Sequence, residues 1–233
     1  WAFRYRYDGR KRMIMKQVPG AAPVFMVYDN RDRLVLTQDG NQRANSLWTF
    51  TKYDKLNRPI LTGIKDTVTV NPLSQADMQA AVNAHYSKTG AEWGESYGEA
   101  EPIHGYSNNT YPVFTSDTIA DPHHYLTVTY YDNYDFRNQW YDEYTYSDEA
   151  LSDTVNNVAH RQPETESLRV KGQVTGSKVK VLDGGVRGLY TWLKSVNYYD
   201  EKYRAIQSVA DNYKGGQDRI TALNNFAGRV LKT

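Results

Sequence analysis

The chain has 233 residues, with 28 basic and 27 acidic side chains and a net charge of +1, so it carries no sequence-wide basic stripe for nucleic acid and no polybasic tail for a membrane surface. It has no cysteine, which excludes a disulfide scaffold, zinc ribbons and thiol chemistry but leaves the compartment open. Twenty Tyr and five Trp supply apolar area of the kind pleated, half-exposed surfaces use, and predict a folded, β-rich chain.

No apolar run reaches the ~18 residues a membrane span needs. Trp1 opens directly on a strand pattern with no leader-like stretch, which points to a segment of a longer protein. Phe3, Tyr5 and Tyr7 alternate, Asp8 follows, Arg12 comes four residues after it, and Met13 to Met15 resume an apolar run. The pattern returns twice: Tyr28-Asp29 with Arg33 and then Leu34 to Leu36, and Tyr53-Asp54 with Arg58 and then Pro59 to Leu61. An interruption over 71–122 follows. Ser74 with Asp77 three later reads as a capping box, and Met78, Val82 and Tyr86 recur every four residues, which predicts one amphipathic helix over 75–87, closed by Gly90. The remainder, 94–122, reads as a long loop with a short strand at Tyr111 to Phe114.

Beyond it, Leu126 to Tyr131 lead into Asp132, with Arg137 one residue later than the spacing demands. A polar connection covers 147–166. Alternation on either side of Gly176-Ser177 predicts an extra hairpin near 168–182. Leu189 to Leu193 run into Tyr199-Asp200 with Arg204, and a degenerate copy ends the chain, with Asn225 in the Asp position and Arg229 four residues on.

Each copy reads as strand, turn, strand. The Asp starts the turn by accepting backbone N–H groups, and Gly9, Asn30, Asn57 and Asn133 supply residues that tolerate turn dihedrals. The Arg reaches back across the turn or to the next hairpin. One exposed pair of this kind contributes only ~0–1 kcal/mol, but hairpins stacked in register would align Tyr with Tyr and Asp with Arg.

The stretches "RYRYDGRKR", "MVYDNRDR", "TKYDKLNR", "VNYYDEKYR" and "NNFAGR" resemble the YD repeats of bacterial Rhs proteins, a repeat class shared with insecticidal toxin complexes and teneurins. The resemblance covers about residues 1–64 and 124–233. It implies a mainly β fold: an antiparallel sheet of tandem YD-type β-hairpins with one helix-bearing insertion. Residues 1–70 hold repeats one to three, 71–122 the insertion, and 123–233 repeats four to six with the extra hairpin. It further implies a secreted or cell-surface bacterial parent in which such hairpins form a hollow shell around a C-terminal effector. The partners are then the rest of the parent chain and that effector. Two departures stand out: insertions space the copies widely, and the Gly-Arg ending is kept only at Gly228-Arg229. Self-cleavage is not carried over to any residue.

Sharper chemistries compete poorly. Asp121, His123 and His124, with His104 or His160, suggest metal ligands, yet adjacent histidines on a strand face opposite sides. Asp29/Asp32 and Asp132/Asp135 lack the Gly and distal Glu of a calcium loop. Gly184 to Gly188 is not a dinucleotide fingerprint. No metal, cofactor or catalytic constellation is therefore expected, and no enzymatic role. Arg4, Arg6, Arg10, Lys11 and Arg12 around Tyr5 and Tyr7 form a nucleic-acid-like patch, but later copies keep only the one Arg, so nucleic acid is not expected as a partner. The alternative with more support is carbohydrate binding or adhesion. Trp93, Tyr97, Tyr106 and Tyr111 in the insertion are its candidates, and Trp140, Tyr141, Tyr144 and Tyr146 are a second aromatic group.

Overall fold

The computed structural model describes residues 2–67, 73–115, 125–140, 144–148, 163–182 and 192–233. The chain divides into two compact units, Trp1–Thr127 and Val128–Thr233. The fold is mainly β and antiparallel, as expected. In the first unit the strands are β1 (Arg4–Tyr7), β2 (Met13–Gln17), β3 (Val24–Tyr28), β4 (Leu34–Gln38), β5 (Leu47–Tyr53) and β6 (Pro59–Asp66). Each is hydrogen-bonded to its chain neighbour, so every connection is a local one. Two α-helices accompany them, α1 (Gly40–Ala44) and α2 (Gln75–Tyr86).

Strand β5 shows why this sheet has an inside. Its residues alternate between half-buried and buried, placing Trp48, Phe50 and Lys52 on the core face. Burying rings such as Trp48 and Phe50, both fully inaccessible, stabilises by ~1.5–3 kcal/mol or more each. Helix α2 begins at the expected capping box, with Asp77 N–H on Ser74 and the Asp77 carboxylate on Ser74 N–H. It buries Met78, Val82 and Tyr86, the residues its spacing selected.

The second unit contains most of β7 (Tyr125–Tyr131), then β8 (Val174–Lys180), β9 (Trp192–Tyr199), β10 (Ala205–Asp211) and β11 (Gln217–Thr221), again in chain order. A separate small hairpin is formed by β12 (Leu223–Asn224) and β13 (Val230–Lys232). The core of the second unit is aromatic: Tyr130 stacks on Phe136 at 4.5 Å, and Trp140 meets Phe136 at 4.8 Å and Tyr144 at 5.5 Å.

Two local expectations fail. Gly176-Ser177 is no hairpin turn, because β8 runs straight through it and pairs with β9 from Gly176↔Val196 to Lys180↔Trp192. Gly176 is small for another reason: a Cβ there would lie 2.3 Å from Phe136 Cζ. The turn lies earlier, where Gln173 N–H bonds Val170 O and Gly172 has φ +85°. Tyr111 to Phe114 form no strand; the segment is held by side chains instead.

Candidate functional site

Among the described residues, the feature that recurs is the hairpin turn itself. At Asp8, Asp29, Asp54 and Asp200 the Asp N–H bonds the carbonyl of the Arg four residues on, and the N–H three residues on bonds the Asp carbonyl. That residue, Lys11, Asp32, Asn57 or Tyr203, sits at φ 62–64°. This is a type I turn closed by a left-handed residue. The strained position is therefore three after the Asp; of the four positions the sequence suggested, only Asn57 occupies it.

The side chains complete the turn. Each Asp Oδ1 accepts the N–H groups two and four residues on. Each Oδ2 accepts the Arg Nε, at 2.7 Å in Asp8–Arg12 and Asp29–Arg33, 2.6 Å in Asp54–Arg58 and 2.5 Å in Asp200–Arg204. A bulge follows in every case. Tyr7 pairs with Met13, Tyr28 with Leu34, Tyr53 with Pro59 and Tyr199 with Ala205, each leaving one extra residue two after the Arg. Those residues are Ile14, Val35, Ile60 and Ile206, a β-branched position common to the four copies.

The arginines then bridge to the next hairpin. Arg12 Nη1 donates to Asp29 O at 2.9 Å and to Asp32 Oδ1 at 3.0 Å, and its guanidinium covers the Tyr28 ring at 5.0 Å. Arg33 Nη1 donates to Asn57 Oδ1 at 3.0 Å, and its guanidinium covers Tyr53 at 4.9 Å. Arg204 Nη1 reaches Asn225 O at 2.8 Å. The tyrosines point back: Tyr28 Oη donates to Met13 O, Tyr53 Oη to Leu34 O and Tyr199 Oη to Val174 O. Each acceptor opens the second strand of the preceding hairpin. Arg10 adds a bond to Asp32, so part of the extra charge in the first copy belongs to the same ladder.

The fourth copy is built differently from its sequence reading. Asp132 N–H bonds Gln173 O, 41 positions on, and Asp132 Oδ1 accepts Gly172 N–H. Gln173 stands where other copies have Arg, and the residues between form an insertion within one hairpin. Arg137, assigned to the motif from its spacing, instead donates to Tyr198 Oη at 2.8 Å and Glu166 Oε1 at 2.7 Å. A turn of the same kind, outside the Tyr-Asp pattern, stands at Asn212: its N–H donates to Gly216 O, its carbonyl accepts Gly215 N–H, and its Oδ1 accepts the Lys214 and Gly216 N–H groups. At the degenerate copy, Asn225 Oδ1 still accepts Arg229 N–H and Gly228 takes φ +87°.

The insertion docks on the third hairpin through an ion pair. Lys52 and Glu95 are both fully buried and 2.8 Å apart. Glu95 Oε1 also accepts Thr110 N–H and Oγ1, and Oε2 accepts Ser107 Oγ and Asn109 N–H. Burial pushes Glu95 up, but Lys52 and the N–H of Asn109 more than offset it and leave the carboxyl below its usual range. Burial pulls Lys52 down, partly opposed by Glu95. A Cβ on Gly94 would lie 2.5 Å from Asp54 C, so glycine is what lets this segment cross the turn.

The proposed glycan residues are drawn into that packing. Tyr106 is buried, Tyr97 meets it edge-on at 79°, Trp93 stacks on Tyr86 at 4.6 Å and carries Arg31 at 5.3 Å, and Tyr111 packs near His85. Trp140 and Tyr144 lie in the core of the second unit. Asp29 and Asp32 are engaged by arginines, and His104 packs on Tyr125 at 5.3 Å. Among the described residues no group of three or more His, Asp or Glu is arranged to hold a metal. Asp121, His123, His124, Tyr141, His160 and Gly184 to Gly188 lie outside the described residues. No helix among the described residues is long and apolar enough to cross a membrane.

No family model and no curated protein sequence matches the chain. Among solved structures it is similar to the crystal structures of TcdB2-TccC3-TEV and of TcdB2-TccC3 without its hypervariable C-terminal region, and to a TccC3 variant of the Photorhabdus luminescens Tc holotoxin pore. Each likeness has 11% identity and a TM-score of 0.23, and covers 98% of this chain. The chain spans about a tenth of the length of those proteins, 10% in each case.

Proposed function

We propose that this chain is a YD-type repeat segment whose work is structural: it forms part of a β wall in a larger Rhs-like protein, secreted or displayed at a bacterial surface, that encloses a C-terminal effector. The observation that carries this reading is the ladder, in which one hairpin's arginine covers the next hairpin's tyrosine while that tyrosine's hydroxyl returns to the first. A lone hairpin cannot bury its face, whereas successive hairpins joined this way make a continuous surface. The ionisable groups of the motif are used up in holding turns and neighbours, as suits a scaffold rather than a catalyst. Strand β1 is exposed at all four positions and β13 at all three, leaving edges that further hairpins of the parent could pair with.

The test is limited proteolysis of the parent protein carrying this segment. A wall predicts that sequence C-terminal to it is protected, and that substituting Asp29 and Asp54 together by Ala exposes it at the same protease concentration. Equal digestion of that sequence with and without the segment would refute the proposal.

A further inference from the structure

The first unit holds a cavity of about 390 Å³ whose lining is chemically divided. Its floor is one cross-strand row, Arg6↔Met15, Met15↔Phe25 and Phe25↔Gln38, read straight across β1 to β4. Strands β2 and β3 pair at only two positions, Met15↔Phe25 and Lys16↔Val24. Beyond them the β3 backbone turns to α2 instead: Gln75 Nε2 donates to Met26 O, Gln79 Nε2 donates to Tyr28 O, and Tyr28 N–H donates to Gln79 Oε1. The first turn of α2 is thereby held over the sheet, and the space beneath it presents a mostly apolar surface, to which Ile14, Met15, Phe25 and Leu73 contribute.

Two guanidinium groups face this space. The Arg6 side chain has no hydrogen-bond or ion-pair partner among the described residues. Arg43 lies over the Phe25 ring at 4.9 Å and gives one N–H to Pro23 O. The acidic groups nearest in sequence to Arg6, to Arg43 and to the helix residues of the lining are already committed, Asp8 to its own turn and Arg12, Asp39 to the cap of α1 and Asp77 to the cap of α2. An apolar cavity of this size with a few polar groups at its rim is the usual form of a small-molecule site. Here the polar groups are cationic and matched to a carboxylate, which arginine binds with two parallel bonds.

We propose that this cavity binds a small amphipathic anion, an apolar body carrying one carboxylate, with the body on Met15 and Phe25 and the carboxylate between Arg6 and Arg43. The site is independent of the ladder and does not rest on the scaffold reading.

The test is isothermal titration of the 233-residue chain with octanoate, with octan-1-ol and acetate as controls. Octanoate is expected to bind saturably at one site, octan-1-ol at least about tenfold more weakly, and acetate without saturation, a tenfold step being ~1.4 kcal/mol. Arg6→Gln, on an exposed strand and checked for folding by circular dichroism, is expected to weaken octanoate about tenfold and leave octan-1-ol unchanged. Equal affinity for octanoate and octan-1-ol, no saturable heat with octanoate, or a folded Arg6→Gln that binds octanoate as before would each overturn the proposal. The octanoate and octan-1-ol comparison on the unsubstituted chain stands even if the variant does not fold.

Discussion

Asp29 is the most deeply buried of the four turn aspartates paired with an arginine. Its carboxylate is fully buried and accepts three hydrogen bonds, from Arg31 N–H, Arg33 N–H and Arg33 Nε. Asp29→Asn can keep the Oδ1 acceptor for both backbone groups, as Asn212 does in this chain, but it removes the anion facing Arg33. Breaking a buried pair by removing one partner costs ~3–5 kcal/mol, and the bonds from Arg33 to Asn57 and Trp93 place the expected loss at the low end. Asp29→Ala also leaves the two turn N–H groups unsatisfied, at ~1–3 kcal/mol each when buried, so it is expected to be clearly worse. The assay is urea unfolding followed by tryptophan fluorescence, comparing midpoints at unchanged slope. Asp8→Asn, in a turn whose carboxylate is partly exposed, is expected to lose less. Equal losses for Asp29→Asn and Asp29→Ala would refute the assignment of roles to the two carboxylate oxygens, and equal losses for Asp29→Asn and Asp8→Asn would refute the weight given to burial.

Gly176→Ala should destabilise the second unit by ~1–3 kcal/mol through the clash with Phe136, and Phe136→Leu in the same chain should recover part of it; unfolding midpoints of the single and double variants decide this. Tyr203→Gly should stabilise, by up to ~1 kcal/mol, because a left-handed non-glycine residue costs ~1–2 kcal/mol and glycine's added chain entropy returns part of the gain; a lower thermal midpoint would contradict it. Lys178 lies across the sheet from Lys194, and burial with that repulsion brings its pKa down to about 8. The native state then binds fewer protons than the unfolded chain between pH 8 and the ordinary lysine pKa near ~10.4, so stability should rise with pH across that window. Lys178→Met should therefore be more stable than the unsubstituted chain at pH 7, by as much as ~3 kcal/mol, an advantage gone above pH ~10.5; a variant less stable at pH 7 would contradict it.

The strands and turns could be read from the sequence because two short-range signals coincide: alternating apolar residues before each Asp, and an Arg at fixed spacing after it. The helix was readable for the same reason, its cap and its four-residue period agreeing. The left-handed residue was not, because Lys11, Asp32, Asn57 and Tyr203 share no chemistry; the backbone, not the side chain, demands that conformation. Arg137 misled because spacing alone cannot tell a turn of five residues from a hairpin whose loop holds an insertion, and the true counterpart, Gln173, lies far along the chain. Gly176 looked like a turn since glycine signals both turns and close contacts, and only the position of Phe136 distinguishes them. Lys52 had a signal that went unused: it continues the Trp48 and Phe50 alternation onto the core face, which calls for a buried anion. That anion, Glu95, is 43 residues away, beyond the reach of local pattern.

Whether consecutive hairpins are energetically joined is tested most directly by a double-mutant cycle between Arg33 and Tyr53, using Arg33→Ala, Tyr53→Leu and the double variant in urea unfolding. The ladder predicts a coupling of ~0.5–2 kcal/mol between these residues of neighbouring hairpins. A coupling within ~0.3 kcal/mol of zero, the range of independent sites, would mean that the arginine serves only its own turn, and the wall would lose its mechanism.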